Sequence, residues 1–395
     1  MTNLLYQICR EKELFTEDLR VLSDLVDKKV AKSRFLVIGG GGSIGHAVSK
    51  EIFRRGASLL HVVDLSENGL VELTRDIRSD LGYRTKNYDT FPLDVQSQYF
   101  YEFMNKNKYD YVLNLSALKH VRSEGNSFVM QRMIDTNIIA TVASYKAAVD
   151  TGVKKYFCVS TDKAANPTNF MGATKRAMEL CLMRTNNPIP VSSARFANVA
   201  FSNGSLLQGF KNRFEKYQPI TAPRDVQRYF VTEKEAGLLC LFSTIIGEDN
   251  HTIFPNCTSE IKLTKFSDIV KRFLKCRNFT PYECTSEIEA RNYFAKYLGN
   301  GKWPVYYFDT NTVGEKLYEE FYTNEEEIIK KEYIDFAFIK SNEIKAEQDI
   351  EFFLESIQKI NPGHKDSHNS YISELRKFVP SFEHKAADQS LNEKM

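Results

Sequence analysis

From Arg34 onward, short apolar runs alternate with longer segments whose apolar residues recur every three or four positions. "RFLVIGG" reads as a strand, "SIGHAVSKEIFRRG" as an amphipathic helix and "LLHVVDLS" as the next strand. A helix near 67–80, a short strand in "DTFPLDV", a helix over 96–107 and a strand in "YDYVLNLSA" follow. The pattern then predicts one long helix over 128–150, a strand in "KKYFCVST", a helix over 170–185 and a strand in "VSSARFANV". Strands and helices trading places at this spacing, with strands almost continuously apolar, predict an α/β fold: a doubly wound parallel sheet covered on both faces.

Outside this stretch the rhythm changes. Residues 1–33 read as a helical extension: Thr16, Glu17 and Asp18 form a cap and acidic first turn before the apolar stripe Val21, Leu22, Leu25, Val26. Residues 34–200 form the expected nucleotide-binding domain, and 201–340, more irregular, a smaller mixed substrate-binding domain interleaved with it. Two C-terminal helices are expected over 341–382, the first in "AEQDIEFFLESIQKI" before the breaker "NPG", and a disordered tail over 383–395.

Composition removes several function classes. Lys and Arg number 53 against 51 Asp and Glu, so no global charge favours nucleic acid as a partner. The seven cysteines show no paired spacing, which predicts a reduced, cytoplasmic setting and no metal site. "AGLLCLFSTIIG", from Ala236, is shorter than the roughly 20 residues that a membrane span takes, and the first residues lack a signal-peptide core. A soluble protein is expected.

The chemistry begins at "VIGGGGSIG". Gly39, Gly42 and Gly45 recur every third residue between a strand and a helix, where small residues let the backbone meet a pyrophosphate at the helix N-terminus, with Ser43 and Ile44 between them. Asp64 lies nineteen residues past Gly45, at the end of the next strand, placed to accept from the adenosine ribose hydroxyls. Its charge repels a 2′-phosphate, so NAD is expected rather than NADP. Asp94 and Val95 after the third strand, and Leu115, Ser116 and Ala117 after the fourth, complete the expected cofactor lining of this Rossmann-type domain.

The second chemical stretch is "STDKAANPTNFMGATKR", residues 160–176. Thr161, Asp162 and Lys163 follow a strand at its carboxyl end, where open α/β sheets place their ligands, and they supply a hydroxyl, an acid and a base in succession. Lys175 and Met171 stand one helical turn apart, so their side chains share a face.

The G-x-x-G-x-x-G turn with these motifs resembles the extended short-chain dehydrogenase/reductase superfamily, in which Tyr-x-x-x-Lys takes the proton from an alcohol. Here Met171 replaces that tyrosine. "LNLSALKHV", "STDKAANPTNFMGATKRAMEL", "ARFANVAFSNGS", "PITAPRDVQRYFVT" and "GEKLYEEF" resemble, in order and spacing, the nucleotide-sugar 4,6-dehydratases of the polysaccharide-biosynthesis group, over about 34–330. The likeness is to the branch carrying Met at the tyrosine position, whose members act on UDP-N-acetylglucosamine.

That resemblance implies bound NAD taking hydride from C4 and returning it to C6. Lys163 would abstract the C5 proton, Asp162 would protonate the departing C6 hydroxyl, Thr161 would hydrogen-bond the C4 oxygen, and Lys175 would serve the nicotinamide ribose. An acid and a base so placed need Asp162 shifted up and Lys163 shifted down. Lys119, His120, Met171, Asn198 and Glu315 are the implied substrate contacts, with Arg228 as a diphosphate clamp. The helices 128–150 and 170–185 are similar to those of the superfamily's four-helix dimer interface, which implies a homodimer or larger homo-oligomer.

Departures fall on the substrate side: Asn114-Leu115-Ser116 where the family begins with His-Ala-Ala, Ala197 for a glycine, Thr312 for an arginine, and a longer aromatic stretch over 277–310. Two other functions remain compatible with the sequence, a C4 or C5 epimerase on the same cofactor and a non-catalytic NAD-binding scaffold.

Overall fold

The computed structural model describes residues 2–120, 124–184, 187–256, 261–292, 294–309, 320–329 and 333–384. After helices α1 (Thr2–Gln7) and α2 (Thr16–Ala31), the alternation runs β1 (Arg34–Ile38), α3 (Ser43–Arg54), β2 (Leu59–Asp64), α4 (Glu67–Leu81), β3 (Tyr88–Pro92), α5 (Gln98–Asn107) and β4 (Tyr111–Asn114). Next come α6 (Ser127–Ile134), a π-helical turn over Asp135–Ile139, α7 (Ala140–Asp150), β5 (Lys155–Val159), a 3-10 turn at Asp162–Ala164, α8 (Phe170–Leu182) and β6 (Val191–Ala194).

The irregular stretch holds β7 (Asn198–Val199), α9 (Leu206–Glu215), β8 (Ile220–Pro223), β9 (Gln227–Arg228), β10 (Phe230–Val231), α10 (Glu233–Ile246), β11 (His251–Pro255), β12 (Thr264–Lys265) and α11 (Phe266–Lys275). It continues through β13 (Thr280–Cys284), α12 (Glu287–Asn292), α13 (Phe294–Leu298), β14 (Lys302–Phe308), β15 (Glu326–Ile329) and β16 (Phe336–Ser341). Helices α14 (Glu347–Gln358) and α15 (Ser367–Phe378) close the described chain.

Among the described residues the main sheet has nine strands, ordered β15-β16-β11-β6-β5-β4-β1-β2-β3. From β3 to β11 every pairing is parallel; β16 and β15 add an antiparallel edge. The order reverses between β1 and β4, which opens the crevice where a doubly wound sheet takes its ligand. β5 is buried at all five positions and β1 at four of five, which explains the unbroken apolar runs. Residues 201–340 split between the two layers: α10, β11, β15 and β16 complete the large sheet, while β13, β14 and β8 form a separate three-stranded sheet around Trp303 and Phe273.

Three differences from the sequence reading stand out. The segment 128–150 is not one α-helix, because the π turn inserts a wide register at Asp135–Ile139. "VSSARFANV" is two strands in different sheets, broken at Arg195. That guanidinium turns inward, 1% exposed, and donates in pairs to Glu179 (2.9 and 2.6 Å) and Glu326 (2.7 and 2.8 Å). Glu383 and His384, assigned to a disordered tail, are placed against the body of the protein; residues 385–395 lie outside the described residues.

The C-terminal hairpin packs on α6 and α8, which belong to the helices singled out for a dimer interface. Ile350, Phe353, Tyr371, Leu375 and Phe378 join the same core as Met130, Ile134, Phe170 and Met178. All thirteen residues of α8 are buried by this one chain.

Candidate active site

The turn after β1 is built for close approach. Gly39 has φ +81°, and a Cβ on it would stand 2.6 Å from the Ser116 nitrogen. A Cβ on Gly45 would stand 2.2 Å from the Gly39 carbonyl oxygen, so α3 can begin against the turn only with glycine there. Gly42 is different: it is the N-cap of α3, and its nearest neighbour would be 3.6 Å away. Gly41, outside the three-residue spacing, matters more, because its N–H donates to Asp64 Oδ2 (2.8 Å) and a Cβ would press on that carboxylate. Ser66 N–H donates to the other oxygen (2.7 Å), which leaves Asp64 two further lone-pair sites for ribose hydroxyls.

No side chain caps the first turn of α3, so its amides face the crevice available for an anion. The bare turn, the uncapped helix and the held carboxylate fit a dinucleotide. Gly45→Ala is expected to weaken dinucleotide retention about tenfold to 10²-fold, as overpacking a backbone contact costs about 1–3 kcal/mol. Nucleotide released from the denatured protein measures it; wild-type content in the variant would contradict the cradle.

The other cofactor-side residues have modest settings. Asp94 is exposed and accepts from Gln96 N–H (2.9 Å), while Val95 packs on the core. Leu115 hangs on β1 through its N–H to the Ile38 carbonyl (2.8 Å), and Ser116 N–H donates to Asn114 Oδ1 (3.0 Å). Asn114 is buried, and its amide also donates to Tyr156 OH (3.0 Å), so the strand end that supplies 115–117 is rigidly set.

The 160–176 stretch forms a compact acid–base turn. Thr161 Oγ1 donates to Asp162 Oδ1 (2.7 Å), and the same oxygen accepts from Lys163 N–H (2.9 Å) and from Lys163 Nζ (3.1 Å). The Asp162 side chain is 3% exposed and that of Lys163 20%. The resting turn therefore holds carboxylate and ammonium in direct contact.

Helix α8 sits on this turn because residue 172 is glycine: a Cβ there would stand 2.5 Å from the Lys163 carbonyl oxygen. Asn169 caps the helix by accepting from Gly172 N–H (2.8 Å). One turn along, Lys175 is buried, and its Nζ meets the Met178 sulfur at 3.3 Å. Burial pushes that ammonium down to about 8, against the upward pull of Cys158 and Glu179. A buried ammonium whose one hydrogen-bond partner among the described residues is a thioether suits a further acceptor such as a ribose hydroxyl. Met171 is 4% exposed and packs in the core with Phe170 and Met178.

On the facing side, Lys119 Nζ reaches Ser202 Oγ (3.3 Å), and the His120 ring lies over Gly204, whose φ is +74° and whose absent Cβ makes the room. Asn203 N–H donates to Ser43 Oγ (2.9 Å), so the 202–204 loop joins the start of α3 to the loop after β4. Asn198 lies on β7, paired with β10, and Arg228 on β9, paired with β12; Asn198 N–H donates to the Tyr229 carbonyl (3.1 Å), and Arg228 is buried, its guanidinium donating to the Gln227 carbonyl (2.8 Å). Glu315 and Thr312 lie outside the described residues.

Two residues were missed. Asn137, fully buried in the π turn, holds Leu118 from both sides, accepting from its N–H (2.9 Å) and donating to its carbonyl (3.0 Å), and so fixes the loop that carries Lys119 and His120. The π insertion was its only available signal, and periodicity smooths over one inserted residue. Glu124 Oε1 accepts from Met171 N–H (3.2 Å) at the start of α8, a pairing across 47 residues that spacing does not show. Among the described residues no cluster could hold a metal ion, and no helix is long and apolar enough to cross a membrane.

Residues 35–341 match the family described as "Polysaccharide biosynthesis protein". The chain belongs to that family. It is 28% identical over 256 residues to "Capsular polysaccharide biosynthesis protein CapD" of Staphylococcus aureus, covering 64% of this chain but 42% of that one. It is 30% identical to "Uncharacterized membrane protein MJ1061" of Methanocaldococcus jannaschii, over 77% of this chain and 84% of that one.

A "UDP-N-acetylglucosamine 4,6-dehydratase (inverting)" of Campylobacter jejuni is 32% identical over 167 residues, 40% of this chain and 48% of that one. Among solved structures, Pen from Bacillus thuringiensis is similar with a TM-score of 0.63 at 22% identity, over 82% of this chain and 98% of that one. The dTDP-glucose 4,6-dehydratase DesIV of Streptomyces venezuelae scores 0.54 at 16% identity, over 73% and 87%. The fold of this polysaccharide biosynthesis family member is thus that of the extended short-chain dehydrogenase/reductases, among which dehydratases and epimerases of nucleotide sugars are found.

Proposed function

We propose that this chain is a nucleotide-sugar 4,6-dehydratase acting on UDP-N-acetylglucosamine or a close relative, with NAD retained through the cycle. The observation that carries the reading is the Thr161-Asp162-Lys163 turn, a hydroxyl, an acid and a base hydrogen-bonded in series, against which Gly172 seats the helix that carries Lys175 and has Met at position 171. The likeness to the Campylobacter dehydratase supports the same substrate class. The 39–45 cradle, Asp64 and Lys175 would hold NAD, which when bound supplies the hydride acceptor for C4 and the hydride donor for C6.

The chain's own residues manage the protons. Thr161 Oγ1 donates to Asp162 and accepts from Lys163 N–H (3.4 Å), which leaves it a second lone pair to accept from the sugar's C4 hydroxyl. As that hydroxyl becomes a ketone, its proton passes to Thr161 Oγ1 and the threonine proton to Asp162 Oδ1. This two-step relay replaces the missing tyrosine. Lys163, as the neutral amine, takes the C5 proton made acidic by the C4 ketone. The C6–oxygen bond then breaks, and Asp162 gives up the proton it received, so the oxygen leaves as water. Lys163 returns a proton to C5 as C6 gains its hydride.

Both groups thereby recover the forms in which the bound cycle began, carboxylate and amine, the proton of the resting ammonium having left to solvent as the sugar bound.

Incubation with UDP-N-acetylglucosamine in D₂O tests the reading. The expected product is a 4-keto-6-deoxy sugar nucleotide with deuterium at C5, followed by NMR. An epimerised hexose that keeps its C6 hydroxyl would instead assign the chain to the epimerases.

A further inference from the structure

Helices α14 and α15 lie beyond the family match, which ends at residue 341, yet their far end reaches the catalytic turn. After α15 the chain bends through Val379 and Phe382, both buried in the core that holds Phe170 and Met171. Glu383 N–H then donates to the Pro167 carbonyl (3.1 Å), in the middle of the link between the 162–164 turn and α8. The next residue, His384, stands 3.8 Å from Glu124 Oε2 through its Nε2. Glu124 in turn accepts from Met171 N–H with its other oxygen, and its backbone carbonyl meets the ring of His368 on α15 (3.2 Å). Both ends of 167–171 are therefore tied to one C-terminal segment, one directly and one through Glu124.

We propose that residues 379–384, carried by the α14–α15 hairpin, are a positioning strap for the Thr161-Asp162-Lys163 turn, with Glu124 as its intermediary. The strap rests on the reading of that turn as catalytic. Its physical basis is local. The first amides of a helix lack partners within it, and a carboxylate on one of them both satisfies the donor and suits the positive end of the helix. Because Gly172 seats α8 directly on the Lys163 carbonyl, a shift of the helix start moves the lysine that handles the C5 proton.

The test uses the full chain with Glu124→Ala, Glu124→Gln and Glu383→Pro, the last removing the N–H that meets Pro167. Hydrogen exchange of amides over 163–172 is expected to quicken about tenfold in Glu124→Ala, to stay near wild type in Glu124→Gln, which keeps an acceptor oxygen, and to quicken at the Pro167 side in Glu383→Pro. Turnover, kcat, should fall roughly tenfold in Glu124→Ala and Glu383→Pro with KM changed less than about twofold, since misplacement harms the reacting geometry more than binding.

Unaltered exchange in both variants overturns the strap. Faster exchange with unaltered kcat overturns its positioning role. A wild-type protein with no dehydratase activity would refute the proposed function instead, and exchange alone would still decide whether the strap holds the turn.

Discussion

Asp162→Asn and Lys163→Met are each expected to cut turnover by about 10²–10⁴-fold while leaving bound NAD at its wild-type level. Asparagine keeps the oxygen that accepts from Thr161 and Lys163, so the 3-10 turn retains its shape and loses only the ability to carry a proton. Methionine keeps the lysine stem and removes the amine. Neither residue touches the glycine cradle, which predicts that cofactor content and activity separate cleanly. Thr161→Val should join this group, because it severs the relay to Asp162, whereas Thr161→Ser should retain most turnover. Steady-state rates with UDP-N-acetylglucosamine, alongside nucleotide released on denaturation, measure all four. Full activity in either the asparagine or the methionine variant would remove the acid–base assignment.

The second large effect is on stability. Glu326→Ala is expected to cost about 3–5 kcal/mol, because it strips one carboxylate from a guanidinium that cannot reach water. Arg195 is 1% exposed and lies in fork contact with both Glu179 and Glu326, while Arg176 bridges the same two acids (3.1 Å to each). Losing Glu326 also frees the Thr323 N–H it accepts from (3.0 Å), so the 320–329 segment loosens with it.

Burial pushes the Glu179 carboxyl up, but the charges and hydrogen bonds of Arg195 and Arg176 outweigh it and hold the group down at about 2. With the folded value depressed, this stabilisation is complete above the unfolded value of about 4.3 and is lost as pH falls toward 2. Urea unfolding at neutral pH and at pH about 3 measures both claims. A variant within about 1 kcal/mol of wild type at neutral pH would show that the network contributes little.

Much of the fold was legible because its signals are local. Unbroken apolar runs marked the buried parallel strands, and the glycines at 39 and 45 announced a turn that admits no side chain. Asp64 and the Thr161-Asp162-Lys163 series were legible for the same reason, each standing just past a strand. What escaped was set by partners far away in sequence. Arg195 breaks a run that reads as one strand because its charge is satisfied by Glu326, 131 residues on. Asn137 works through a π insertion, and Glu124 through a helix that starts 46 residues later, at Phe170. Gly41 falls outside the three-residue glycine spacing, and only the folded turn shows it lying against Asp64.

The C-terminal hairpin also sets what surrounds helix α8. Helix α8 is enclosed by its own chain along its full length, so a neighbour gains no purchase on it. Pairing through α6 and α8 would first require peeling off the hairpin and wetting Phe353, Tyr371, Leu375 and Phe378, an expense that no incoming copy offsets without supplying the same oily contacts. The helix on which Met171 and Lys175 ride therefore takes its packing from its own chain.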